Sequence, residues 1–164
     1  MVLDIETRHK TGGECSDMNT NAMAFDYIKR AKRCLKESKD AFKDKDYPIT
    51  IRRAQECVEL SLKAVLRFIA IEYPRDHDVS SALEIARDKF PTWFSKEITE
   101  FMRISRDLSK KRGPAIYGYE AQLRPASEIF NRDDANEALV CAEDVYGSCF
   151  KLIDAHGSTN RRPT

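Results

Sequence analysis

Residues 47–71 limit the choice of fold more than any other part of this chain, because they carry two apolar stripes at helical spacing. One is Ile51, Ala54, Val58 and Leu62, continued by Ser61, Val65 and Ile69; the other is Cys57, Leu60, Ala64, Phe68 and Ile71. A helix apolar on two sides must be covered on two sides. It is therefore the centre of a bundle, or it packs against a second copy of the chain, and the expectation is both, through a symmetric dimer.

The flanking segments supply the rest of such a bundle. Glycine and proline together number 12 of 164 residues, which favours long uninterrupted helices. A first helix is expected over residues 22–41, with Tyr27, Ile28, Ala31, Cys34, Leu35, Ser38 and Phe42 on one face. Asp46 can cap the second helix, with Pro48 in its first turn. Asp78 can open a short third helix reaching Lys89, with Leu83, Ile85 and Ala86 inward, and a fourth spans residues 93–111 on the stripe Phe94, Ile98, Phe101, Ile104 and Leu108. Asn131 caps the last helix, residues 131–155, in which Gly147 is expected to mark the close approach of another helix. No segment alternates with period two. The expected fold is all-α, an up-and-down bundle of four long helices plus one short helix, homodimeric. Residues 22–156 form the domain, residues 1–21 are read as a flexible lead-in, and residues 157–164 as a tail.

Charge and motifs exclude several function classes. Lys plus Arg is 28 against 27 for Asp plus Glu, so any nucleic-acid site must be a local patch. No secretory leader or membrane span is expected, and five cysteines without a C-x-x-C pair read as reduced, buried side chains of a cytoplasmic protein. His9, His77 and His156 have no metal-ligand spacing, so neither metal nor cofactor is implied. Gly113 to Gly118 matches half of a P-loop, but Tyr119-Glu120 stands where Lys and Ser or Thr are needed, and no strand precedes it.

The remaining signal is cationic. Arg103, Arg106, Lys110, Lys111 and Arg112 close the fourth helix, and Arg103, Arg106 and Lys110 share a face. Such a face can grip a phosphate backbone; equally, it can be a solvated face whose charges complement the helix dipole, with Asp107 pairing Arg103 and Lys111. The next segment, Arg112-Gly-Pro-Ala-Ile-Tyr-Gly-Tyr119, reads as a shaped loop. There Arg112 can clamp a phosphate bidentately while Tyr117 and Tyr119 stack on bases, unless one of these rings caps the core.

Three stretches give the chain a resemblance to the HEPN domain family: Ala31 to Lys39; Ala54-Gln-Glu-Cys-Val-Glu-Leu-Ser-Leu-Lys-Ala64 followed by His77-Asp78; and Arg112, four residues, Tyr117, Gly118, Tyr119. The resemblance implies a homodimer, and joining two copies through the doubly apolar helix is expected to bring their cationic corners together. In many members it also implies a metal-independent RNA endonuclease, the toxin of a toxin–antitoxin pair whose partner is a minimal nucleotidyltransferase. The family's motif places histidine where this chain has Tyr117. Imidazole exchanges protons near pH 7 and phenol, at a pKa of about 10, does so poorly, so reduced or absent nuclease activity is expected. Catalytic candidates are Arg112 and Tyr117; Arg106, Lys110, Lys111 and Tyr119 are candidates for binding RNA or a nucleotide. Tyr119 is also a possible acceptor of AMP from the partner. An active nuclease using Arg112 and Tyr117, and a purely structural dimeric adaptor, are the alternatives. His77, weighed as a displaced base, is read as a helix-opening residue.

Overall fold

The computed structural model describes residues 13–157. Seven helices follow in order: α1 (Gly13–Lys43), α2 (Tyr47–Phe68), α3 (Ser80–Ala86), α4 (Thr92–Ser95), α5 (Ile98–Tyr117), α6 (Ala126–Ile129) and α7 (Arg132–Gly157). The fold is all-α, with four long helices, one short one, and two single turns at α4 and α6. No helix among the described residues is long and apolar enough to cross a membrane.

The doubly apolar segment is the central rod. Ile51, Ala54, Val58, Leu62 and Val65 are buried, and so are Cys57 and Ala64 of the opposite stripe. Its neighbours α1, α5 and α7 all belong to the same chain. The buried parts of both stripes are covered from within the chain, while Leu60 and Phe68 of the second stripe are only partly buried. On α1, Ile28, Ala31, Cys34 and Leu35 are buried as expected, and the Ser38 hydroxyl donates to the Thr50 carbonyl at 2.8 Å, locking α1 to the start of α2.

Local signals set most boundaries. The Asp46 carboxylate accepts from the Ile49 amide at 3.2 Å and Pro48 lies in the first turn of α2. At the start of α7, Asn131 and Asp134 cap each other reciprocally, at 3.0 and 2.9 Å. Four boundaries differ from expectation. Helix α1 already begins at Gly13, so only residues 1–12 of the supposed lead-in, like the tail from 158 and His9, lie outside the described residues. Once a helix exists, adding a turn to it costs little. The expected fourth helix is broken at Lys96-Glu97 and then runs on to Tyr117 through Pro114, because burial of Ala115 continues the apolar face of α5 beyond the proline. Helix α2 stops at Phe68, where Ala70 takes a left-handed conformation (φ 56°) and the Ile71 amide reaches back to the Leu66 carbonyl at 2.9 Å. On α3, Leu83 and Ala86 are buried but Ile85 is 81% exposed, since so short a helix turns only one narrow face to the core.

Cys34, Cys57 and Cys149 are free and buried, and loss of hydration on burial pushes the Cys57 thiol up to about 12. Gly147 does not have the role expected of it. A methyl built there meets nothing within 4 Å, so no neighbouring helix requires the glycine. Gly147→Ala is therefore expected to raise stability by about 0.5–1 kcal/mol, measured as the shift of the urea midpoint at unchanged slope.

Candidate functional site

Arg112 sits mid-helix in α5, one wall of an open cleft of about 410 Å³. Arg30 and Arg33 come from α1, Arg53, Glu56 and Glu59 from α2, and His77 from the loop before α3. Arg112 Nη1 donates to Gln55 Oε1 at 2.8 Å and lies 3.5 Å from a Glu56 oxygen. Gln55 is only 1% exposed. Its amide nitrogen donates to Glu59 Oε2 at 2.9 Å, and the same oxygen meets His77 Nδ1 at 2.9 Å. A continuous chain of hydrogen bonds thus runs Arg112–Gln55–Glu59–His77. Burial works to raise the Glu59 carboxyl, but hydrogen bonds from Lys63, Gln55 and His77 outweigh it and hold the group below its ordinary value, as a carboxylate.

The loop carrying His77 is fixed from both sides. Ser109 Oγ of α5 donates to the His77 carbonyl at 2.8 Å, one turn before Arg112. The Asp78 carboxylate accepts from the Ser80 amide at 3.0 Å, from the Ser80 hydroxyl, and from Ser105 Oγ at 2.9 Å. Against the opposing effect of burial, these bonds and the charge of Arg106 lower the Asp78 pKa. Asp78 opens α3 as expected, one residue before the formal cap, and ties it to α5. The two neighbours divide their roles: Asp78 does the capping, while the His77 side chain, 51% exposed, joins the cleft.

The other expected site residues are dispersed. Arg106 and Lys110 line a separate groove on α5 with Arg103. Arg103 pairs with Glu100 at 2.6 Å rather than with Asp107, and Lys111 pairs with Asp107 at 2.9 Å. Because α5 is continuous here, Lys110 and Arg112 lie about 160° apart around it, and Tyr117 is about 140° round from Arg112. Tyr117 and Tyr119 are 68% and 42% exposed, so neither ring caps the core, and neither lines the Arg112 cleft. The segment expected to be a loop begins only at Gly118, where Tyr119 and Arg124 pair their main chains at 2.8 and 3.1 Å.

Gln55 and Glu59 belong to this cleft although no motif marks them; the signal in the sequence is a glutamine and a glutamate one turn apart among the apolar neighbours of the second helix. Among the described residues no group of three or more His, Cys, Asp or Glu is placed to hold a metal ion.

The described residues form an all-α bundle in which an arginine and a histidine line one cleft. The chain belongs to the HEPN family: the family model described as "HEPN domain" matches residues 24–152. It is 29% identical over 123 residues to a protein of Methanocaldococcus jannaschii named "Putative toxin MJ1304", covering 73% of this chain and 80% of that one. The structure entitled "Crystal Structure of ST0689, an archaeal HEPN homologue" superposes with a TM-score of 0.60 at 26% identity, over 79% of this chain and 97% of the other.

Proposed function

We propose that this chain is a toxin-like, RNA- or nucleotide-binding subunit of a two-component system, working as a homodimer beside a minimal nucleotidyltransferase. The observation that carries the binding reading is the position of Arg112 in a cleft shared with the guanidinium groups of Arg30, Arg33 and Arg53. Both named contacts of Arg112 fall on Nη1, and a planar guanidinium in this cleft is suited to bidentate contact with a phosphate. The toxin name of the Methanocaldococcus relative supports the same role. Arg106 and Lys110, on their separate groove, extend contact to a second stretch of backbone, and Lys111, paired with Asp107, stands beside them on α5. Tyr117 has no part in the chemistry on this reading, since it is turned away from Arg112. Tyr119, an exposed phenol just past the end of α5, is the proposed AMP acceptor.

Anisotropy of labelled single-stranded RNA in a salt series tests the binding claim. Arg112→Ala is expected to weaken binding about tenfold and to flatten the log–log salt slope by about 0.7, the release expected for one phosphate contact on a single strand. Equal affinity and equal slope in both proteins would leave only the adaptor reading. Light scattering at the mass of two chains is the result required of the dimer. Intact mass after co-expression with a nucleotidyltransferase, with and without Tyr119→Phe, reads the modification.

A further inference from the structure

We propose that the Arg112 cleft selects a terminal phosphate group over the internal phosphodiesters of a strand, and that Glu56 is the residue that imposes the choice. This rests on the RNA or nucleotide reading above and names the chemistry that the same site prefers. In the free protein the anion position beside Arg112 is held by the chain's own carboxylate. Arg53 Nη1 donates to Glu56 Oε2 at 2.6 Å, and Arg112 Nη1 stands 3.5 Å from Oε1. Glu56 belongs to the wall of the cleft, so a ligand that takes both guanidinium groups as donors competes with it.

The displaced carboxylate has a second partner within reach. Arg52, four residues earlier on α2, is not among the residues that line the cleft. Its Nε is buried, makes no hydrogen bond among the described residues, and lies 3.6 Å from Glu56 Oε1. A turn of the Glu56 side chain towards Arg52 satisfies that donor and frees Arg53 and Arg112. The other two carboxylates of the cleft are held elsewhere. Glu37 pairs with Arg33 at 2.7 Å and with Arg53 Nε at 3.1 Å, and Glu59 accepts from Lys63 at 2.7 Å and from Gln55 at 2.9 Å.

Charge then selects the ligand. With Glu56 turned aside, the guanidinium groups of Arg30, Arg33, Arg53 and Arg112 face the carboxylates of Glu37 and Glu59, an excess of two positive charges. A terminal phosphate carries about −2 near neutral pH and offers three acceptor oxygens, which matches that excess. An internal phosphodiester carries a single charge, equal to that of the carboxylate it displaces. Its entry gains no net attraction at Arg53 and Arg112 and sets a second anion beside Glu56.

The test uses the full chain in EDTA and 3′-labelled single-stranded RNA of one sequence, carrying a 5′-phosphate or a 5′-hydroxyl, with binding read by anisotropy. Wild type is expected to hold the 5′-phosphorylated strand at least about tenfold more tightly. Glu56→Gln keeps the shape of the side chain and removes its charge. It is expected to tighten the 5′-hydroxyl strand about tenfold and so to abolish most of the preference, whereas loss of a merely structural glutamate would weaken both strands alike. Thermal melts accompany Glu56→Gln and a second variant, Glu56→Ala, and the wild-type comparison needs neither. Competition with ATP separates the two sources of the group: displacement of the 5′-phosphorylated strand assigns the cleft to free nucleotides as well as RNA ends, and resistance assigns it to RNA ends alone. Equal wild-type affinity for the two strands would overturn the proposal while leaving the RNA reading in place. A preference left intact by folded Glu56→Gln would overturn the role of Glu56. Failure of wild type to bind either strand or ATP would remove the binding reading as well.

Discussion

Gly118→Ala is expected to lower stability by about 3–4 kcal/mol and the melting temperature by about 10 °C, read by calorimetry. Gly118 ends α5 at φ 68° and ψ −157°, a region that side chains avoid. A β-carbon there would stand 2.3 Å from the Arg124 carbonyl oxygen and 2.9 Å from the Ala126 amide nitrogen. Both obstacles are backbone, so relief requires moving the turn itself. That turn is closed by the Tyr119 amide on Arg124 O at 2.8 Å and the reciprocal bond at 3.1 Å, which the substitution must strain or break. Because Arg112 lies well back inside α5, RNA affinity measured below the melting transition should persist. A variant melting within a degree or two of wild type would show that this turn yields freely.

The second large effect is Phe94→Ala, expected to cost about 4 kcal/mol. Phe94 is fully buried in the single turn α4. Its ring lies 4.7 Å from that of Phe90 and 5.6 Å from those of Trp93 and Phe101, measured between centroids. Truncation removes these tilted and edge-on contacts together with the transfer energy, and it leaves a hole between α4 and α5. Such a loss is a large share of a typical total of about 5–15 kcal/mol. The expected result is a cooperative transition at lower denaturant with an unchanged slope. A shift under about 1 kcal/mol would mean that the cluster collapses around the gap.

The bundle was legible in the chain because burial on a helix repeats every 3.6 residues. The stripes on α1, α2, α5 and α7, and the caps at Asp46, Asp78 and Asn131, lie where the spacing places them. The candidate site was legible only at Arg112. Proline and two glycines read locally as a loop from Arg112 to Tyr119, yet packing of Ala115 carries α5 through Pro114. That continuation rotates Tyr117 and Lys110 away from Arg112 and separates residues that are neighbours in sequence.

Periodicity and capping chemistry are properties of nearby residues, so the sequence by itself determined that this is an α-helical bundle, that α2 is its core rod, and where most helices start. Which side chains share a cleft depends on how distant segments are superposed. Only the tertiary structure decided that Gln55 and Glu59 join Arg112 to His77, and that α1, α5 and α7 are the helices that meet α2, because a helix face does not encode which neighbour will meet it.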